Sequence, residues 1–327
     1  MKKLLIPALI AILLLAGCDE KTLQYNSVYI PTSEAETVDA ADTTDTSAQE
    51  TTPPRELGPC FLKEQTYYND QGVQLAQMTV TLNEDGMPET VFLDSGTDVT
   101  HTIYYDDQGT ITGSQQLRVL YDEKDIQNSY YNEHGDRTQI VVNPDGENPI
   151  VQDTVYQYDD QGRIIEKKQT QNNALINLEQ TKYDEHGNIA SFYNQKTTSS
   201  STNTYIYTYE NGLMVKSERY TETTNSERIT DEVITYTYDE KGNLTKKKIN
   251  NAEIHTYSYR NDGTLSKLVI TKGSYTNYCE YNELGQIIAQ YNYSDSTMTS
   301  KIVYVWEEFS VQPTDAQLKV FDLLGIV

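Results

Sequence analysis

The chain has 327 residues and a formal charge of −24, with 49 acidic against 25 basic side chains. This balance disfavours nucleic acid and anionic lipid surfaces as direct partners, because both need a basic footprint. Tyrosine occurs 27 times and phenylalanine only five, so the aromatic residues carry a polar tip and suit surfaces that are half wet.

The first 18 residues read as a targeting segment. Lys2 and Lys3 precede an apolar run from Leu4 to Ala16, which is shorter than the roughly 20 residues a membrane-spanning helix needs. Leu15-Ala16-Gly17-Cys18 then resembles the bacterial lipoprotein signal: a small residue admits the peptidase, and the Cys18 thiol receives the diacylglyceryl group. The expected partner of this end is the lipid bilayer, held through acylated (diacylglyceryl and palmitate) Cys18, since two or more chains anchor stably where one is marginal. The expected location is the cell envelope, membrane-anchored outside the cytoplasm. Asp19 resembles an inner-membrane retention signal of enteric bacteria, but the choice between inner and outer membrane stays open.

Residues 19–56 are rich in Ser, Thr, Asp and Glu with almost nothing to bury. Low hydrophobicity with like charge predicts a disordered acidic tether.

Residues 57–311 carry a repeated turn. Tyr105-Asp106-Asp107-Gln108-Gly109, Tyr131-Asn132-Glu133-His134-Gly135, Tyr158-Asp159-Asp160-Gln161-Gly162 and Tyr183-Asp184-Glu185-His186-Gly187 share it. So do Tyr238-Asp239-Glu240-Lys241-Gly242 and Tyr281-Asn282-Glu283-Leu284-Gly285. Tyr68-Asn69-Asp70-Gln71-Gly72 and Tyr259-Arg260-Asn261-Asp262-Gly263 are looser copies, and Tyr209-Glu210-Asn211-Gly212 is a residue short. Asp or Asn opens the turn by accepting from backbone amides ahead of it, and Gly closes it at positive φ. The seven steps from Gly109 to Gly285 average about 25 residues, a period typical of structural repeats. Between turns, Tyr205, Tyr207 and Tyr209 alternate with Thr204, Ile206 and Thr208, as His255, Tyr257 and Tyr259 do with their neighbours; this is the strand signature.

This wording and spacing resemble the YD repeat, or RHS repeat, of bacterial Rhs and wall-associated proteins, toxin-complex shells and teneurins. The resemblance spans roughly Tyr67 to Tyr293. It implies an all-β array of antiparallel β-hairpins in a long, twisted, curved sheet. A partial shell, an open spiral or a narrow barrel is expected. In residues 312–327, Thr314 and Gln317 predict a capping box, and the short helix they start is expected to cap the last sheet edge.

No metal-ligand spacing, nucleophile elbow, phosphate loop or dinucleotide fingerprint occurs, so neither an enzyme nor a cofactor is expected. Cys60 and Cys279 remain after Cys18 is lipidated; either a disulfide joins them, which requires the array to bring its ends together, or both are buried thiols. The tyrosine stripes carry the functional expectation. Tyr205, Tyr207 and Tyr257 are candidate ligand contacts, because aromatic faces along a sheet stack on sugar rings. The reading is a membrane-anchored, non-catalytic binding module for carbohydrate or a cell-envelope component. The alternative is a scaffold, chaperone or immunity-type partner of another secreted protein.

Overall fold

A computed structural model describes residues 59–327 apart from 121, 122, 198, 200, 224 and 225. The expected signal peptide, Cys18 and the 19–56 tether lie outside the described residues.

Twenty strands follow one another. The first five are β1 (Cys60–Asn69), β2 (Gln74–Leu82), β3 (Pro88–Asp94), β4 (Asp98–Tyr105) and β5 (Ile111–Leu120). Next come β6 (Glu123–Tyr131), β7 (Arg137–Val142), β8 (Ile150–Tyr158), β9 (Ile164–Gln171) and β10 (Ala174–Tyr183). These lead into β11 (Ile189–Lys196), β12 (Ser201–Glu210), β13 (Leu213–Thr223), β14 (Ser226–Tyr238) and β15 (Leu244–Ile249). The last are β16 (Glu253–Tyr259), β17 (Leu265–Lys272), β18 (Tyr275–Tyr281), β19 (Ile287–Ser294) and β20 (Thr297–Glu308). Each pairs antiparallel with the next, and one short helix, α1 (Asp315–Leu323), follows.

The sheet closes. β1 pairs antiparallel with β20 from Cys60 opposite Glu308 to Asn69 opposite Ser300, so the array is a β-barrel and neither an open spiral nor a partial shell. The expectation of an open sheet fails on a count of strands. Each 25-residue period supplies two strands, so ten periods give twenty, and far fewer suffice to close a barrel. Closure pairs the backbone groups that two free edges would leave open.

The repeated turns gather at one rim, here called the lower rim. There, Asp106 shows the common geometry: its Oδ1 accepts from the N–H groups of Gln108 and Thr110 at 2.9 and 2.8 Å, while the Gly109 N–H donates to Asp106 O at 3.0 Å. Gly109 closes the turn at φ 78°, and the ladder shifts by a residue at Tyr105. The Tyr68 copy makes the same turn at the upper rim, half a period out of phase, and Asn83-Glu84-Asp85-Gly86 takes its place below. The upper rim uses other chemistry. Asn172-Asn173 and Asn250-Asn251 are two-residue turns with both residues at positive φ, the conformation Asn tolerates best after Gly.

The repeat tyrosines join one hairpin to the one before it. Tyr183 Oη donates to Ile164 O at 3.1 Å, Tyr238 to Met214 O at 2.7 Å and Tyr259 to Leu244 O at 2.9 Å. Trp306 in β20 makes the equivalent bond through Nε1 to Ile287 O at 2.6 Å. Where Arg260 replaces the turn aspartate, its Nη1 donates to Leu265 O at 2.8 Å, taking the carbonyl in that position.

The C-terminal segment does not cap a sheet edge, because the ring has none. It packs at the lower rim against the early strands. Thr314 and Gln317 form the capping box, at 3.2 Å from Gln317 N to Thr314 Oγ1 and 2.7 Å from Thr314 N to Gln317 Oε1. Gln317, Val320 and Phe321 face inward, with Val320, Phe321 and Ile326 fully buried. The Phe309 ring lies 5.1 Å from Phe61 and 5.7 Å from Phe321. One apolar cluster therefore joins this segment to the buried faces of β1–β5, including Met78, Val91, Leu93, Val99 and Ile103. Leu62 N donates to Ile326 O, Gln317 Nε2 donates to Gly109 O, and Lys319 pairs with buried Asp136.

Among the described residues, neither Cys60 nor Cys279 is in a disulfide. Ladder partners explain why. Cys279 stands opposite Gln290, Gln290 opposite Ile302, and Ile302 opposite Tyr67. Cys279 is thus level with Tyr67, seven residues and about 23 Å along β1 from Cys60. Backbone pairing closes the ring without the bridge.

Candidate functional site: the inner wall of the barrel

Residues opposite one another on a ladder share a face. Followed from partner to partner, the face carrying Leu93 and Val99 also carries Thr154, Gln169, Asn177 and Tyr205. It continues through Ile234, Lys247, Tyr257 and Cys279 and returns through Tyr67 and Ala76 to Leu93. This is the inner wall. The opposite face holds the exposed Val155, Tyr104, Tyr130 and Ile206.

The outer wall is charged at mid-strand. Glu166 and Lys168 pair on β9, Lys216 and Glu218 pair on β13, and Lys267 and Lys301 lie over the rings of Tyr278 and Tyr291. A membrane-spanning barrel shows lipid an apolar band about 25 Å tall. These charges interrupt any such band. Among the described residues, no helix is long and apolar enough to cross a membrane, which says nothing of a barrel that crosses with strands.

The inner wall has two halves. Over β1–β5 it is the apolar cluster that holds the C-terminal segment. Over β9–β16 it is polar and aromatic, and most of it is half-buried. Twenty strands enclose more space than their own side chains can fill, so this half lines a wet lumen.

A continuous polar band crosses that half. Asn177, 4% exposed, donates through Nδ2 to Gln169 Oε1 at 2.9 Å and to Glu179 Oε1 at 2.7 Å. Asn194 Nδ2 approaches the same Glu179 oxygen at 3.2 Å, and Lys167 Nζ lies 3.6 Å from Glu179 Oε2. Further along, Thr221 Oγ1 lies 2.8 Å from both Asn203 Oδ1 and Asp231 Oδ2, and Arg219 Nε donates to Asp231 Oδ1 at 2.9 Å. That charge-assisted bond holds Arg219 firmly protonated. Burying such groups is tolerable only because each has a partner. The result is a rigid row of amides, carboxylates and cations facing the lumen.

The expected aromatic contacts fall on this wall. Tyr205 packs against Phe192 with ring centroids 5.8 Å apart and stands opposite Arg219 on the ladder. Tyr207 follows on the same face, next to Tyr209, whose hydroxyl donates to Ile189 O at 3.1 Å. Burial first, then the Asp184 carboxylate and Tyr238, pushes the Tyr209 hydroxyl up to about 12, so it stays a donor. Tyr257 is also on the inner wall, on β16, four strands from β12 and about 19 Å away at strand spacing. The structure thus brings Tyr205 and Tyr207 together and places Tyr257 on the same surface but apart from them.

Sequence reasoning missed the polar band. Gln169, Asn177, Asn194, Asn203 and Thr221 sit one to a strand on β9 to β13, and their alignment stands out only once register is known. Among the described residues, no group of three or more His, Cys, Asp or Glu is placed to hold a metal ion.

No protein-family model matches the chain, and no curated protein matches it. Solved structures resemble it distantly. The crystal structure of TcdB2-TccC3-TEV matches with 12% identity and a TM-score of 0.33, covering 76% of this chain and 16% of that one. The crystal structure of a porin-like protein from Bacteroides uniformis ATCC 8492 matches with 13% identity and a TM-score of 0.33, covering 75% of this chain and 96% of that one. The crystal structure of TcdB2-TccC3 matches with 11% identity and a TM-score of 0.21, covering 70% and 18%. At these scores the likeness carries no argument about this chain. The chain spans less than a fifth of either toxin-complex chain.

Proposed function

We propose that this protein is a non-catalytic binding module of the bacterial cell envelope, held to a membrane through acylated Cys18, whose lumen takes a carbohydrate or another polar envelope component. The observation that carries the reading is the inner wall, where Tyr205, Tyr207 and Tyr257 share one surface with the Asn177–Glu179 band. Aromatic faces beside fixed amides and carboxylates suit a polyol, which offers an apolar ring face and many hydroxyls. The charged outer wall supports a barrel that stands in water on an anchor and does not span the bilayer.

The test is retention of the mature chain on a glycan panel and on solubilised envelope in parallel. Binding to particular glycans that is lost when Tyr205→Ala and Tyr207→Ala are combined supports the module. A single co-purifying protein with no glycan signal supports a scaffold or chaperone instead. Metabolic labelling with palmitate, abolished by Cys18→Ser, tests the anchor.

A further inference from the structure

One copy of the repeated turn is short, and a cavity lies beside it. Between Tyr238 and its ladder partner Leu244 the chain spends five residues; between Tyr209 and its partner Met214 it spends four. The shortened loop is Asn211-Gly212, with φ of 52° and 77°, a two-residue turn of the kind otherwise used at the upper rim. The lower rim therefore dips at this turn, beside the 184–188 turn. The cavity there measures about 640 Å3, within the range of small-molecule sites.

Its lining comes from both faces of the wall. Tyr207 and Tyr209 point to the lumen, while Thr208 between them is on the outer face, and all three line the cavity. The notch therefore runs across the lip from lumen to exterior. Asp184, His186 and Asn188 form its other side. Asp184 is fixed in place: Oδ1 accepts from His186 N at 2.9 Å and Asn188 N at 2.8 Å, and Oδ2 accepts from Asn188 Nδ2 at 3.1 Å. Burial raises the Asp184 carboxyl, but these donors outweigh it and hold the group below the usual carboxylate range. It is an ionised acceptor, whereas the His186 side chain stays 76% exposed in the opening.

We propose that this notch is a binding subsite for one or two units of a neutral saccharide, and that the shortened turn exists to open it. Two tyrosine rings supply the apolar surface, Asp184 and Asn188 supply fixed partners for hydroxyls, and the carboxylate on a chain of net charge −24 disfavours an anionic sugar. The proposal rests on the carbohydrate reading above and adds its location.

The test uses the full mature chain with maltose, cellobiose and chitobiose as probes, followed by saturation-transfer NMR and calorimetry. One variant inserts a single lysine between Asn211 and Gly212, restoring the turn to full length; a second is His186→Ala, an exposed change that leaves the fold intact. A third, Tyr257→Ala, alters the lumen wall far from the notch. The expected result is saturable binding of at least one disaccharide, weakened about tenfold or more by the insertion and measurably by His186→Ala, and weakened less by Tyr257→Ala than by the insertion. Should the insertion variant misfold, His186→Ala alone decides. Binding that ignores both rim changes but falls with Tyr257→Ala overturns the notch and keeps the lumen reading. No binding of any disaccharide by the unaltered chain overturns both.

Discussion

The hydroxyl of Tyr209 donates to the carbonyl of Ile189 across the seam between two hairpins, below the point where β11 and β12 stop pairing at Ser191 and Ile206. The repeat tyrosine is therefore a latch between successive units as much as a wall residue. Tyr238, at 2.7 Å from Met214 O, makes the shortest such bond among Tyr183, Tyr209, Tyr238 and Tyr259. Tyr238→Phe should cost about 1 kcal/mol in urea unfolding, the usual net worth of one hydrogen bond. An unchanged midpoint would show that the latch contributes nothing.

Two glycines of the same turn should respond differently to the same change. Gly109 and Gly135 both sit at positive φ, where a side chain costs roughly 1–2 kcal/mol. A Cβ on Gly109 meets nothing within 4 Å, whereas one on Gly135 would lie 2.4 Å from the backbone oxygen of Ala316. Gly109→Ala should show the backbone cost alone. Gly135→Ala should lose more and also speed proteolysis within residues 312–327, because the C-terminal segment must shift. Equal losses and equal cleavage would place that segment elsewhere.

His101 sets a pH dependence. It lies on the inner wall of β4, where burial first and Arg118 second lower its pKa from 6.5 to about 4. Its Nε2 is buried without a hydrogen-bond partner among the described residues. A base whose pKa is depressed in the fold stabilises it fully above pH 6.5 and loses that contribution as pH falls from 6.5 through about 4. His101→Leu should flatten the decline in unfolding midpoint between pH 7 and pH 4.5. Parallel declines in parent and variant would remove His101 as its source.

The cysteines give a chemical check. In a Cys18→Ser chain, denaturant without reductant should expose two titratable thiols. In the native state Cys279 should resist alkylation, since burial pushes its thiol up to about 11. Finding no thiol under denaturing conditions would mean that Cys60 and Cys279 are bonded after all.

The lower rim was legible in the sequence because its chemistry is local: Asp106, Gln108, Gly109 and Thr110 form their turn within five residues. The helix start at Thr314 and Gln317 was legible for the same reason. The upper rim was harder, since Asn172-Asn173 and Asn250-Asn251 signal a turn only when both residues are known to take positive φ. Closure was not legible. Thr66 and Val303 are 237 residues apart, and nothing in either segment encodes that they meet. The polar band failed for a related reason: Asn177 and Asn194 are ordinary strand residues until register sets them 3.3 Å apart.

The closed ring is what turns a row of hairpins into a lumen, and it can be measured directly. With Cys18, Cys60 and Cys279 replaced by serine, Thr66→Cys and Val303→Cys put one thiol on each side of the β1–β20 seam at paired positions. Mild oxidation should give an intramolecular disulfide in monomeric protein, seen as faster migration in non-reducing gels and a higher unfolding temperature. A chain that stays reduced, or that forms only intermolecular dimers, would mean the sheet is open and the lumen does not exist.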